Sequence, residues 1–311
     1  MKDSLQTILV IGASGDLGYR ISQAIIDIGH STNLRAAARG GLSGKHVNTL
    51  RQLSDQGAAI YSAELDDLES LKRACEGAHT VISVVQGGPE TIIGGQEKLL
   101  QACLAAGVQR FVPSDFSENL FAIPAGINPY LDWRRTFDGE VTKSGIGYTH
   151  ILNGGFMEAV FTSPGLIDGK AETLTYWGDG EVPLDFTAMD DVARYAARIV
   201  LDPKTLNQTA GIVGDRLTVG EIVADYQAAT GISLRLIRRG SIAEGYAELD
   251  RMKLAGAHPM AMLPMQYLLP MMSGEGLIEH PCNSNYREIK PTTLRSYFER
   301  CVAAGDAIGV S

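Results

Sequence analysis

Short apolar runs and amphipathic stretches alternate through the first half of the chain. Residues 7–12 (TILVIG) are apolar, rich in β-branched side chains, and run into a glycine-rich turn. Residues 19–29 (YRISQAIIDIG) carry apolar positions at helical spacing and stop at Gly29. The same alternation predicts strands over 34–40, 59–65, 80–85 and 110–114 and helices over 47–57, 67–77 and 97–107. The run TVISVV at 80–85 is almost wholly apolar, as a strand covered on both faces should be. Five strand–helix units in succession predict a parallel sheet with helices on both faces, wound by right-handed crossovers, with its ligand at the carboxyl ends of the strands.

Beyond YTHILNGGF (148–156) the regularity fades. LTYWGDGEVPLDFTAMDD (174–191) suggests short strands and turns, DDVARYAARIVLD (190–202) a helix with an acidic start, and the chain turns Met- and Pro-rich from Met252. The pattern is that of an α/β protein: a Rossmann-type doubly wound sheet over residues 1–155, and a smaller, partly interleaved α/β region over 156–311 that covers the strand ends and takes the substrate.

A net charge of -9 argues against nucleic acid or an anionic membrane as partner, since both favour a basic face. No stretch reaches the roughly 18 apolar residues that span a bilayer, and the start of the chain lacks the features of a signal peptide. Cys75, Cys103, Cys282 and Cys301 form no C-x-x-C pair and read as reduced thiols, and the six histidines form no ligand-spaced cluster, so no metal is expected. The expected location is cytoplasmic, and a homodimer is compatible with the chain without being read from it.

The first turn reads Gly12-Ala13-Ser14-Gly15-Asp16-Leu17-Gly18. Glycines alone say little in a chain with 35 of them, but these follow an apolar strand and open a helix. Gly12 permits the tight turn, Gly15 lets the backbone approach a diphosphate at the helix N-terminus, and Gly18 lets helix and sheet pack closely. The cofactor-binding set therefore begins with Gly12, Ser14, Gly15, Asp16, Leu17 and Gly18. An NAD site would place an acid at the end of the second strand. The chain instead carries Arg39 and then Lys45, which suit a ribose 2′-phosphate, so NADPH/NADP is the expected cofactor.

GASGDLG, the Arg39/Lys45 pair, QRFVPSDF (109–116), GIGYTHILNGGF (145–156) and KPTTL (290–294) together resemble the NmrA-like, isoflavone reductase-like branch of atypical short-chain dehydrogenases/reductases. The resemblance runs over nearly the whole chain and is strongest in the first half. It implies that Val85, Gln86 and Gly87 skirt the cofactor, that Pro113, Ser114, Asp115 and Phe116 lie near its nicotinamide end, and that Asn153, Gly154 and Phe156 border nicotinamide and substrate. A strand-terminating turn would use Pro113, Ser114 and Asp115 for local reasons as well. Ungapped alignment of GIGYTHI with the family's G-I-P-Y-T-Y-V puts the family's catalytic lysine at position 134, where this chain has Arg.

NPYLDWRR (128–135) starts a helix: Asn128 suits the N-cap, Pro129 the first turn, and Gly145 stops it. At about 100° per residue, Tyr130, Trp133, Arg134, Phe137 and Val141 share an arc about 100° wide, with Arg135 and Asp138 at or beyond its edge. An inward guanidinium needs an anion or several acceptors. Arg134 and Tyr130 are thus the candidate catalytic pair. Arg134 is fit to hold charge but not to transfer a proton. A structural ion pair for Arg134 and simple ring packing for Tyr130 are the alternatives.

Six of the nine methionines fall within residues 252–272. They read either as core or as a deformable wall for an aromatic or polycyclic ligand. The candidate substrate residues are Phe116, Met157, Phe161, Met262, Met265 and Tyr267. The function expected is NADPH-dependent hydride transfer to an apolar aromatic carbonyl, enone, imine or benzylic ether. The alternatives are an NADP(H)-binding sensor with little catalysis and a rearrangement or cyclisation on the same fold.

Overall fold

The structure is a computed structural model that describes residues 6–162, 166–306 and 308–309. The alternating runs form β1 (Ile8–Ile11), α1 (Asp16–Ile25), β2 (Leu34–Ala38), α2 (Val47–Asp55), β3 (Ala59–Ser62), α3 (Leu68–Cys75), β4 (Thr80–Ser83), α4 (Gln96–Ala105), β5 (Arg110–Val112), α5 (Pro129–Ser144) and β6 (Gly147–Leu152). Strands β3-β2-β1-β4-β5-β6 pair in parallel in that order. This is the doubly wound arrangement expected, with the reversal of strand order between β1 and β4. Each strand is one to three residues shorter than its apolar run.

The remaining elements are β7 (Gly155–Phe156), α6 (Met157–Thr162), β8 (Ile167–Asp168), β9 (Thr173–Tyr176), β10 (Leu184–Thr187), α7 (Met189–Ile199), β11 (Gln208–Gly211), β12 (Asp215–Leu217), α8 (Val219–Thr230), β13 (Arg235–Arg238), α9 (Ile242–Leu254), α10 (Pro259–Ser273) and α11 (Leu294–Ala304). β11 extends the main sheet beside β6. Two three-stranded sheets, β12-β10-β7 and β13-β9-β8, complete the set among the described residues.

The chain divides into two compact units that exchange segments: 1–115, 130–151 and 192–210 form the first, and 116–129, 152–191 and 211–311 the second. The core of the first unit joins Leu9, Ile11 and Val81 of the sheet to Leu71 and Cys75 of α3, Leu99 and Cys103 of α4, and Phe137 and Val141 of α5. Arg110, buried at the start of β5, donates to the carbonyls of Ile199, Val200 and Asp202 and to Thr205 Oγ1 at 3.0–3.1 Å. These acceptors take up both terminal nitrogens of the buried guanidinium and tie the segment at the end of α7 to β5.

In the second unit, Phe161 packs against Phe186 and Phe298 at ring-centroid distances of 5.1 Å, with Met157, Leu174, Leu184 and Met272 in the same core. Asp185 grips Arg216 through both of its oxygens and accepts the N–H of Ile278 at 2.9 Å. Asp191 accepts the N–H of Thr292 and Asp215 that of Leu294. The KPTTL motif is thus a docking point for the start of α11.

Candidate functional site

The carboxyl ends of β1, β4 and β5 bring the first-unit candidates together. Gly12 has φ +85°, and a Cβ there would stand 2.2 Å from the Val84 carbonyl oxygen. A Cβ at Gly18 would stand 2.2 Å from the Gly12 carbonyl oxygen, so both glycines are demanded by the packing of the turn itself. Gly15 differs: it is exposed, and a Cβ there would meet nothing closer than the Gly12 oxygen at 3.4 Å. No side chain caps α1 at Gly15. The first-turn N–H groups of a helix lack partners within it, so this end is open to an acceptor, and a side chain at position 15 would obstruct the approach. Ser14 and Leu17 are half-buried beside it, and Asp16 pairs with Arg20 at 2.9 Å.

At the end of β2, Arg39 projects into solvent with 90% of its side chain exposed and Glu64 at 3.6 Å; Glu64 also accepts the Gly40 N–H at 2.7 Å. Lys45 is exposed and makes no ion pair among the described residues. Two exposed cations thus follow the end of β2. Glu64, which sequence reading passed over, is the carboxylate ion-paired to them among the described residues.

Ser114 connects β5 to β4: its hydroxyl donates to the Val85 carbonyl at 2.7 Å and lies 3.1 Å from the Val85 N–H. Gln86 is exposed and Gly87 half-buried at the same strand end. Pro113, Ser114, Asp115 and Phe116 are all buried, and Phe116 sits at φ 29°, a strained value for a side chain of its size. Asp115 turns its carboxylate inward to His150 Nδ1 at 2.8 Å.

α5 runs as expected from Pro129, but its buried face is rotated toward Leu131 and Asp138, which join Phe137 and Val141 inside. Trp133 and Tyr130 are half-buried and stack edge-on at 4.9 Å. Arg134 is half-buried; its Nε donates to the Ser114 carbonyl at 2.9 Å and its Nη1 to the Tyr130 carbonyl at 2.8 Å. The acceptors this guanidinium needed are therefore main-chain oxygens, and Nη2 keeps no partner among the described residues. Arg135, expected to face water, is mostly covered and pairs with Asp132.

Asp115, Asp138 and His150 form a cluster that sequence reading missed. Each offers a ligand-type atom within 4.8 Å of the others, and they are 1%, 3% and 5% exposed. Burial pushes the Asp138 carboxyl well above the usual carboxylate range; the charge of Asp115 and a hydrogen bond to it push the same way, against a smaller pull from Arg134. Residues 115, 138 and 150 are dispersed in the sequence, and only the position of Asp138 one turn after Arg134 hinted at a connection.

In the second unit, Asn153 is fully buried, donating to the Gly154 carbonyl and accepting Thr187 Oγ1 at its own carbonyl. Gly154 has φ +67° against Asp185, and Phe156 is half-buried on β7. Met157 and Phe161, expected as a ligand wall, lie wholly inside the aromatic core, which takes them out of that role. The helical period that put them on one face of α6 turned that face inward. Met262 packs against Leu249 and Leu269 in a smaller core, and Tyr267 is half-buried. Met265 and Met272 of the expected Met wall line a cavity of about 500 Å³, with Trp177 and Leu268 as apolar neighbours and Arg239 and Arg251 among its polar ones.

No helix among the described residues is long and apolar enough to cross a membrane. The model of the NmrA-like family matches residues 4–298. The chain is 32% identical over 213 residues to a bifunctional pinoresinol-lariciresinol reductase of Linum usitatissimum, covering 65% of this chain and 67% of that protein. It is 32% identical over 248 residues to pinoresinol reductase 1 of Arabidopsis thaliana, covering 73% and 75%. A solved structure of AtPrR2 with NADP+ and (+)pinoresinol superposes with a TM-score of 0.80 at 22% identity over 95% of this chain and 98% of that one, a likeness of fold.

Proposed function

The chain belongs to the NmrA-like family, and from that premise we propose that it is an NADPH-dependent reductase of a small, apolar aromatic substrate. The observation that carries this reading is the Gly12–Gly18 turn. Two of its glycines are fixed by packing, while Gly15 lies open before an uncapped helix N-terminus. That geometry fits a dinucleotide diphosphate. When bound, the dinucleotide supplies the hydride. Arg39 and Lys45 hold a 2′-phosphate by charge, and Gln86 and Gly87 border the path from β4. Pro113 and Ser114 close the nicotinamide end, with Asn153, Gly154 and Phe156 assigned to its substrate side.

Arg134 is held on two carbonyls and offers Nη2 to an oxygen of the ribose or the substrate. A guanidinium stays protonated, so it stabilises negative charge on that oxygen without supplying a proton. The proton comes from Tyr130 or water. An aromatic substrate is supported by the named substrates of the relatives.

The test is to mix the protein with NADPH or NADH and a panel of aromatic carbonyls, enones, imines and benzylic ethers, following NADPH absorbance. Saturable oxidation of NADPH is expected, with NADH much poorer. The use of both Arg134 contacts on main-chain carbonyls also favours a second reading, a family member that binds NADP(H) and turns over little. Tight NADPH binding with no oxidation across the panel would select it. Substrate conversion without net NADPH loss would select a rearrangement.

A further inference from the structure

Arg134 and Asp138 stand four residues apart on α5, a spacing at which Arg and Asp commonly pair. They do not pair here. The guanidinium turns to the carbonyls of Ser114 and Tyr130, while the Asp138 carboxyl turns to Asp115 and His150. Around Asp138 the hydrogen-bond accounting is short of donors. His150 Nδ1 is 2.8 Å from Asp115 Oδ2 and 3.7 Å from Asp138 Oδ1. No N–H or hydroxyl among the described residues donates to Asp115 Oδ1 or to either Asp138 oxygen, all of them buried. Two carboxyls that lie side by side in a low dielectric cannot both be ionised cheaply, and a buried oxygen without a donor is costly. A proton on Asp138, donated to Asp115, meets both demands at once.

We propose that Asp138 is a positioning residue for Arg134: a proton held in the Asp115–Asp138–His150 cluster leaves the guanidinium on the Ser114 carbonyl, and removal of that proton draws it along α5 onto the carboxylate. The proposal rests on the reductase reading for its effect on turnover, but not for the movement itself. The charged and titratable groups of the first unit facing Asp138 are Asp115 at the end of β5, His150 on β6 and Arg134 on α5 itself. Tyr148 stands behind His150, with its ring 4.9 Å from the imidazole. Burial and the charge of Asp115 hold the proton on Asp138, while the charge of Arg134 pulls against them. Ionised Asp138 would be a second buried anion beside Asp115, and Arg134, one turn away on the same helix, is the permanently charged group that already acts on its carboxyl. The move would take Arg134 off the carbonyl of the residue that connects β5 to β4.

The direct test is the Arg134 Nε–H resonance in arginine-labelled protein, assigned with Arg134→Lys and followed as pH is raised. It should shift in one step in the parent and stay fixed in Asp138→Asn, whose amide donates to Asp115 at every pH. In steady-state kinetics the alkaline limb of kcat should move up by about one pH unit or more in Asp138→Asn, with KM for NADPH changing less than kcat. A resonance indifferent to pH in the parent overturns the proposal even if Asp138→Asn does not fold. So does a pH response that survives in Asp138→Asn. Stoichiometric divalent metal in the parent, lost in Asp138→Asn, would replace the proton with a metal site. A parent that oxidises no NADPH at any pH refutes the reductase reading and leaves the resonance to decide the movement of Arg134.

Discussion

Glu118 is buried, and neither of its carboxyl oxygens has a hydrogen-bond partner among the described residues. Burial, and then the charge of Glu275, push its carboxyl well above the usual range. Glu275 is itself held by the Tyr246 hydroxyl at 2.6 Å. The folded chain therefore keeps a proton that the unfolded chain releases above about pH 4. This contribution to stability is complete below the unfolded pKa and is lost as pH rises toward the folded one. Glu118→Gln should raise Tm by about 2 °C or more at about pH 8 and hardly at all near pH 4, as read by thermal unfolding at the two pH values. Arg39 belongs to the same scale. With 90% of its side chain exposed it contributes little to folding, so Arg39→Ala should leave Tm unchanged. It should raise KM for NADPH about tenfold or more while barely moving that for NADH, since a charge-assisted contact to phosphate is commonly worth that much. Arg39 was legible because it follows an apolar strand at the position where an acid would select NAD. Glu64, its partner from the end of β3, was not, because their approach depends on how two parallel strands are registered.

At the level of elements, the β1–α1 turn separates two uses of glycine that look alike in sequence. Gly12→Ala forces a Cβ into the Val84 carbonyl at a left-handed φ, so it should lower Tm sharply without any ligand. Gly15→Ala meets only an ordinary contact, so it should fold near the parent Tm and lose NADPH affinity instead. Measuring Tm and NADPH affinity for both variants tests the division; equal losses of Tm would show that Gly15 is structural too. Arg110 gives a second element-scale expectation. Arg110→Ala strands the carbonyls of Ile199, Val200 and Asp202, and should destabilise by about 3 kcal/mol or more in denaturant unfolding. The α5 helix was legible from its proline start and glycine stop. Which residues it buries was only partly so: periodicity put Asp138 at the margin, and His150 on β6 drew it inside.

At the scale of the molecule, a ligand that binds the folded state alone stabilises it by mass action. NADPH at a hundred times its Kd should add about 2.7 kcal/mol, visible as a rise in Tm, and NADH at the same concentration should add far less. Equal shifts would remove the 2′-phosphate assignment. The sequence by itself determined a parallel, doubly wound sheet, because apolar runs alternating with amphipathic helices leave little choice but right-handed parallel crossovers. It also determined the glycine turn and the absence of an acid after β2, since both are local requirements of backbone and charge. Tertiary structure alone decided that segment 192–210 belongs with the first unit and 116–129 with the second, that Met157 and Phe161 are core, and that Asp115, Asp138 and His150 meet. Those outcomes rest on contacts between residues far apart in the chain, whose partners are chosen by packing and by the need of buried polar groups for one another, and no local pattern encodes that choice.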